Sequence, residues 1–150
     1  MQHNRYYLPA FLIGVLEEKQ FSKWLDRKAK SLLKRDRARG NPNAKYREYK
    51  MEIYRAVVKS QGKCAYTGKM LRWDLVCAYD NEMAKLGGRR YRRMLSELPT
   101  VDHLGDGLGV PEFRICSWVV NSCKGQLELA EFLRLCADIL TFHDYRVNQK

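Results

Sequence analysis

The sequence predicts an α+β fold, mostly helical and forming one domain, and three observations lead there. Long stretches from Phe21 to Ala38, Ala44 to Ser60 and Leu127 to Phe142 carry apolar residues at helical spacing. Only two short runs, Thr100 to Leu104 and Phe113 to Cys116, read as strands, and the glycine-rich loop Gly105-Asp106-Gly107-Leu108-Gly109 joins them. At 150 residues the chain is long enough to bury one sizeable core.

The elements follow in order. The apolar run Tyr6 to Leu16 is too short to span a bilayer, is followed at once by Glu17-Glu18, and lacks a small-residue cleavage site. The expectation is neither a membrane span nor a signal peptide but a core-facing helix with Pro9 near its start. In the next helix Phe21, Trp24, Leu25, Ala29, Leu32 and Leu33 form the inward stripe. Gly40-Asn41-Pro42-Asn43 breaks it. The helix from Ala44 to Ser60 turns Tyr46, Tyr49, Ile53 and Val57 inward and ends at Gln61-Gly62-Lys63. Cys64 to Gly68 reads as a short strand entering a turn, with Leu71-Arg72-Trp73 continuing that layer. Asp80-Asn81 opens a helix interrupted by Gly87-Gly88. After the two strands, a helix starting near Ser117 or Trp118 carries Asn121 and Lys124 and stops at Gly125. The last helix, Leu127 to Phe142, is expected to bury Leu129, Phe132, Leu133, Cys136, Ile139 and Leu140.

Charge points to a polyanionic partner. Lysine and arginine number 28 against 17 acids, a net of +11, which favours nucleic acid over a membrane surface. The excess is concentrated between Lys19 and Arg39, where the only acids are Asp26 and Asp36. Lys23, Arg27, Lys30, Lys34 and Arg37 lie opposite the apolar stripe, as a phosphate-tracking surface or as a merely solvated face. Arg89, Arg90, Arg92 and Arg93 flank Tyr91, a cluster that grips a backbone and stacks a base, or a basic turn whose Tyr91 and Met94 pack inward. None of the five cysteines stands in Cys-x-x-Cys spacing, so no structural zinc is expected. Their odd number, with no secretory signal, suggests reduced thiols and a cytoplasmic location.

One constellation carries chemistry. Asp102 and Asn121 offer hard oxygens, which suit Mg²⁺ or Mn²⁺. His103 titrates near neutral pH and can take a proton from water. Lys124 is a cation one turn past Asn121, for a phosphate or simply for solvent. His3 and His143 fall outside the constellation and read as surface residues. The order strand, loop, strand, helix from Thr100 to Lys124 resembles the HNH endonucleases. So do Cys64-Ala65-Tyr66-Thr67-Gly68 upstream and Asn121-Ser122-Cys123-Lys124-Gly125, Leu127 and Glu131-Phe132-Leu133 downstream. The resemblance covers about Lys63 to Leu140.

It implies a ββα-metal core from residue 63 to 150; residues 1–62 carry no family motif and are expected, from their own pattern, to be a helical, basic extension packed on it as one compact domain. It also implies one divalent cation, Mg²⁺ or Mn²⁺, held by Asp102 and Asn121, and His103 as the general base cutting phosphodiester bonds of DNA. The family's middle residue is usually Asn; Glu112 stands there, either bracing the loop behind His103 or lying on the surface. Asp106 is an extra ligand or outer acceptor, or it caps its turn. Because successive strand residues point to opposite faces, Asp102 and His103 are expected to meet one phosphate only if the chain leaves strand geometry there. Two alternatives stay open: a nucleic-acid-binding module on a degenerate scaffold, and an RNA-cleaving effector. The sequence leaves open site specificity, nicking against double-strand cleavage, oligomeric state and biological setting.

Overall fold

A run of 3.6-period apolar residues folds as a helix only where its ends can be satisfied, and here the ends are well provided. The computed structural model describes residues 6–147, apart from the side chains of Asn81 and Ala84. Helix α1 spans Glu18–Ala38 and opens with a reciprocal capping box between Glu17 and Gln20. It buries Phe21, Trp24, Leu25, Ala29, Leu32, Leu33 and, one turn further along the same stripe, Asp36. Helix α2, Tyr46–Ser60, buries Tyr49, Ile53, Ala56 and Val57 and stops where Gln61 turns left-handed. The two helices pack together, and Asp26 of α1 ties them by accepting from Tyr46 Oη (2.5 Å) and pairing with Lys50 Nζ (2.6 Å).

The remaining elements are shorter. Helix α3, Asn81–Met94, is capped by Asp80, whose side chain accepts from the Met83 amide, and breaks helical geometry at Gly88. Strands β1, Pro99–Leu104, and β2, Glu112–Ser117, form an antiparallel two-stranded sheet, with Asp102 opposite Arg114 and His103 opposite Phe113. Helix α4, Trp118–Lys124, follows β2 directly, with Ser117 as its cap and Gly125 as its stop at φ 56°. Helix α5 is Leu129–Phe142. The architecture is α+β and mostly helical, with β2 packed against α2 and α4 against both strands. Among the described residues no helix is long and apolar enough to cross a membrane.

Residues from before and after Gly62 share one core: Trp24 meets Trp73 edge to face at 5.5 Å, and Tyr49 meets Phe113 at 5.5 Å. The first sixty residues therefore complete the interior on which the hairpin rests.

Three expected elements differ. The run Tyr6 to Leu16 forms a single 3-10 turn, Ala10–Leu12, which stops where Ile13 turns extended (ψ 128°) and Gly14 takes φ 80°. Leu12 and Leu16 are buried all the same. Cys64 to Gly68 is a turn rather than a strand, closed by Gly68 N–H to Cys64 O at 2.9 Å and flanked by one bridge between Lys63 and Met70. With no strand there to extend, Leu71-Arg72-Trp73 of the same expected layer leads into a 3-10 turn, Trp73–Leu75. The third difference is α5. It begins at Leu129, where Glu128 and Glu131 form a capping box, and none of its residues is buried: Leu133 is 58% and Ile139 52% exposed, and Leu129, Phe132, Cys136 and Leu140 are half-buried.

Trp24 is the side chain that joins the two parts of the core, and Trp24→Ala is expected to cost about 3–5 kcal/mol. Urea unfolding followed by circular dichroism measures this; a drop in stability below about 1 kcal/mol would mean that the two parts do not depend on each other.

Candidate functional site

Strand β1 lies between α4 on one side and the end of α1 on the other, and its successive side chains address these two neighbours in turn. Asp102 turns toward α4. Its carboxylate lies 3.3 Å from Lys124 Nζ and accepts a hydrogen bond from Tyr66 Oη, while only 5% of the residue is exposed. Lys124 itself is 6% exposed, neither a solvated lysine nor an open phosphate contact. Burial, then the bond to Asp102, holds the Tyr66 phenol well above its ordinary pKa, so Tyr66 remains a donor. The turn that presents Tyr66 is organised around the Cys64 sulfur. Burial pushes that thiol's pKa up, but donors from the Thr67 hydroxyl and the Tyr66, Ser117 and Thr67 backbone prevail and hold it below the ordinary value.

His103 turns the other way. Its Nε2 lies 2.9 Å from Oδ2 of Asp36, the acid that ends the buried stripe of α1 and has none of its surface in water. This is a close contact rather than a hydrogen bond, since the ring N–H is not aimed along it. Tyr49 Oη donates to the same Oδ2 at 2.6 Å, and Arg35 Nε lies 3.4 Å from Oδ1. Burial first, and Arg35 and Arg39 after it, lower the His103 pKa below its ordinary value against the upward pull of Asp36 and of the Gly105 backbone carbonyl. The imidazole is therefore neutral at pH 7, the form a general base requires.

The two faces reach a common space. A cavity of about 270 Å³ is bordered by Asp102, His103, Asn121, Lys124, Arg35 and Arg39. β1 remains regularly paired through Leu104, so the expected departure from strand geometry does not occur. The cavity instead runs along the free edge of β1, where side chains of both faces border it. Asn121 is half-buried and enters no side-chain hydrogen bond among the described residues.

Other expected residues fall elsewhere. Glu112 is exposed at the start of β2 opposite Leu104 and does not brace His103; the carboxylate beside the imidazole comes from Asp36. Asp106 is exposed and accepts from the Leu108 amide at 2.8 Å, so it caps its own turn. Lys23, Arg27, Lys30, Lys34 and Arg37 are all exposed on α1, though Arg37 also donates to the Ala44 carbonyl at 2.8 Å. Arg89, Arg90, Arg92 and Arg93 are exposed on α3 and border no part of the cavity. Tyr91 is half-buried with its hydroxyl bonded to the Ala78 carbonyl and the Asp80 amide, and Met94 is 68% exposed. His143 is exposed, and His3 lies outside the described residues.

Sequence reasoning missed Asp36, Tyr49's bond to it, Tyr66's bond to Asp102, and the cations Arg35 and Arg39. For Asp36 a signal existed: it follows Leu32 and Leu33 at helical spacing, where an exposed acid would not be placed.

Two oxygen donors of the expected metal site lie at the cavity, Asp102 and Asn121. One carboxylate and one unengaged amide oxygen border a polar cavity, and oxygens of this kind suit a hard ion, but the carboxylate is already paired with Lys124. Among the described residues no three His, Cys, Asp or Glu side chains come together. Compared with family profiles, with curated proteins and with solved structures, the chain matches none.

Lys124→Met leaves the buried Asp102 charge with Tyr66 alone and is expected to destabilise the fold by about 3–5 kcal/mol. Urea denaturation at pH 7 checks this, and a variant as stable as the parent would mean that the pair is not closed in solution.

Proposed function

We propose that this chain is a metal-dependent endonuclease of the HNH type, hydrolysing phosphodiester bonds of DNA. The observation that carries the reading is that Asp102, His103, Asn121 and Lys124, which match the family's order along the chain, border one cavity together with Arg35 and Arg39. Strand, loop, strand, helix in the right succession supports the ββα-metal reading of this part.

In this mechanism neutral His103 takes a proton from water. The water oxygen attacks phosphorus in line, the bond from phosphorus to the 3′ oxygen breaks, and that oxygen leaves. Asp102 and Asn121 would hold Mg²⁺ or Mn²⁺, which supplies charge neutralisation at the phosphate and the leaving oxygen. Arg35 and Arg39 add positive charge where the scissile phosphate docks. The exposed cations of α1 and α3 reach the flanking phosphates that a small core cannot.

A second reading, a nucleic-acid-binding module on a degenerate scaffold, is favoured by one observation: Lys124 already neutralises Asp102. Incubation with supercoiled plasmid, with and without Mg²⁺, separates the two, and an RNA substrate run alongside tests the RNA-cleaving alternative. Nicking is expected only with Mg²⁺ or Mn²⁺ and should stop on chelation. His103→Ala is expected to slow cleavage by about 10²–10⁴ with DNA affinity retained. The acid limb of the rate profile should fall below pH 6.5, because the His103 pKa is lowered and the neutral base survives to lower pH. Binding without cleavage under every metal condition would favour the second reading. Reversing Lys30 and Lys34 to Glu should weaken DNA binding irrespective of sequence. It should also flatten the salt dependence, by about 0.9 in slope for each phosphate that is no longer neutralised. Unchanged affinity and slope would leave the α1 face merely solvated.

A further inference from the structure

We infer that α3 opens duplex DNA: Leu86 enters between two base pairs while Arg89, Arg90, Arg92 and Arg93 hold the phosphates on either side. The inference rests on the DNA-binding part of the reading above and on none of its chemistry.

Two features of α3 serve no purpose within the fold. Leu86 is 84% exposed, and Met83, one turn before it, is 52% exposed. The four arginines are exposed as well, and none of their side chains enters a hydrogen bond or ion pair among the described residues. Glu82, the only acid on the helix, is already paired with Lys85 at 2.8 Å. Apolar side chains in water beside four unmet cations suit a partner that is anionic outside and apolar within. Duplex DNA, with phosphates along its edges and stacked bases between them, is such a partner.

The break in the helix fixes Leu86 beside the arginines. A Cβ on Gly87 would lie 2.6 Å from Tyr91 Cβ, so the turn that carries Leu86 packs directly onto Tyr91. Gly88, at φ 50° and ψ −129°, makes the bend that this approach needs, in a conformation open to glycine. The Tyr91 hydroxyl donates to the Ala78 carbonyl at 3.0 Å and accepts from the Asp80 amide at 2.8 Å, which ties the arginine half of α3 to the start of the other half. A membrane surface is also anionic outside and apolar within, but it is matched by a broad apolar face on a continuous helix. Here Met83 and Leu86 occupy a single turn, the helix breaks two residues later, and Met94 lies beyond the break. One or two such side chains are what a wedge uses: leucine and methionine enter between base steps from the minor groove, unstack them and bend the duplex by about 20–90°.

The test uses the full chain in EDTA, so that nothing is cut, and a duplex with 2-aminopurine at a central TA step, a kind of step that unstacks readily. Dyes at the two ends of the duplex report bending. The wild-type chain is expected to raise the 2-aminopurine fluorescence and to shorten the distance between the ends. Leu86→Ser should bind the duplex with an unchanged salt slope yet give neither signal, and at 84% exposure the replacement leaves the core intact. Arg92→Ala combined with Arg93→Ala should weaken binding and flatten the salt slope by about 0.9 for each phosphate lost. A wild-type chain that binds without either signal, or Leu86→Ser giving both signals as wild type does, overturns the inference. So does Leu86-dependent sedimentation with phosphatidylserine vesicles in the absence of a duplex response, which would make α3 a lipid contact. A chain that binds no duplex overturns this inference and the DNA reading together. One that binds and opens the step but cuts nothing with Mg²⁺ or Mn²⁺ upholds the inference while the nuclease reading fails.

Discussion

A carboxylate with none of its surface in water must find its partners within the protein, and Asp36 finds them on separate segments of the chain. Tyr49 comes from α2, His103 from β1 and Arg35 from α1 itself, while the loop between the strands lies over it at Gly107. Each of these placements constrains another. The stripe that buries α1 delivers Asp36 to the interior, α2 must pack close enough to bring Tyr49 within 2.6 Å, and β1 must hold the register that turns His103 toward α1. Moving any one of them leaves a buried charge short of a partner, which costs more than the same change at the surface.

A second buried carboxylate works the opposite face of the same strand. Asp102 is satisfied by Lys124 from α4 and by Tyr66 from the turn after α2. The two acids thus fasten β1 on both sides, and the cavity along its free edge inherits groups from each: a neutral imidazole from one, a carboxylate and an ammonium from the other, with Asn121, Arg35 and Arg39 around them. Lys28 adds a third tie by donating to Thr100 Oγ1 at 3.1 Å, and burial lowers its pKa to about 8. The first sixty residues are in this sense part of the site, because they supply a core wall, two of its cations and the carboxylate beside its histidine.

Much of this was legible in the sequence. Period and punctuation located α1, α2, the kinked α3, both strands and α4, because glycine, asparagine and serine stand where each element must stop or start. Motif order alone singles out Asp102, His103, Asn121 and Lys124, and the fold brings them to one cavity. What stayed hidden has physical causes. An apolar run such as Tyr6 to Leu16 records burial but not conformation, and Leu12 is buried from a 3-10 turn as well as from a helix. The stripe of α5 records amphipathicity but not what covers it, so its exposed Leu133 and Ile139 could not be foreseen. Motif spacing pointed to Glu112 as the brace of His103, whereas the carboxylate that fills that place arrives from a helix far earlier in the chain. Local pattern has no means of registering such a long-range pairing, and only the misplaced acid on an apolar stripe hints at it.

The measurement that bears most directly on this account is a double-mutant cycle between Asp36 and His103, with stability read by urea denaturation at pH 7. If the buried carboxylate and the imidazole depend on each other as their 2.9 Å contact requires, Asp36→Ala and His103→Ala should be non-additive, with a coupling energy of about 0.5–3 kcal/mol. Additivity to within about 0.3 kcal/mol would contradict it, leaving the two side chains as neighbours with no energetic bond between them.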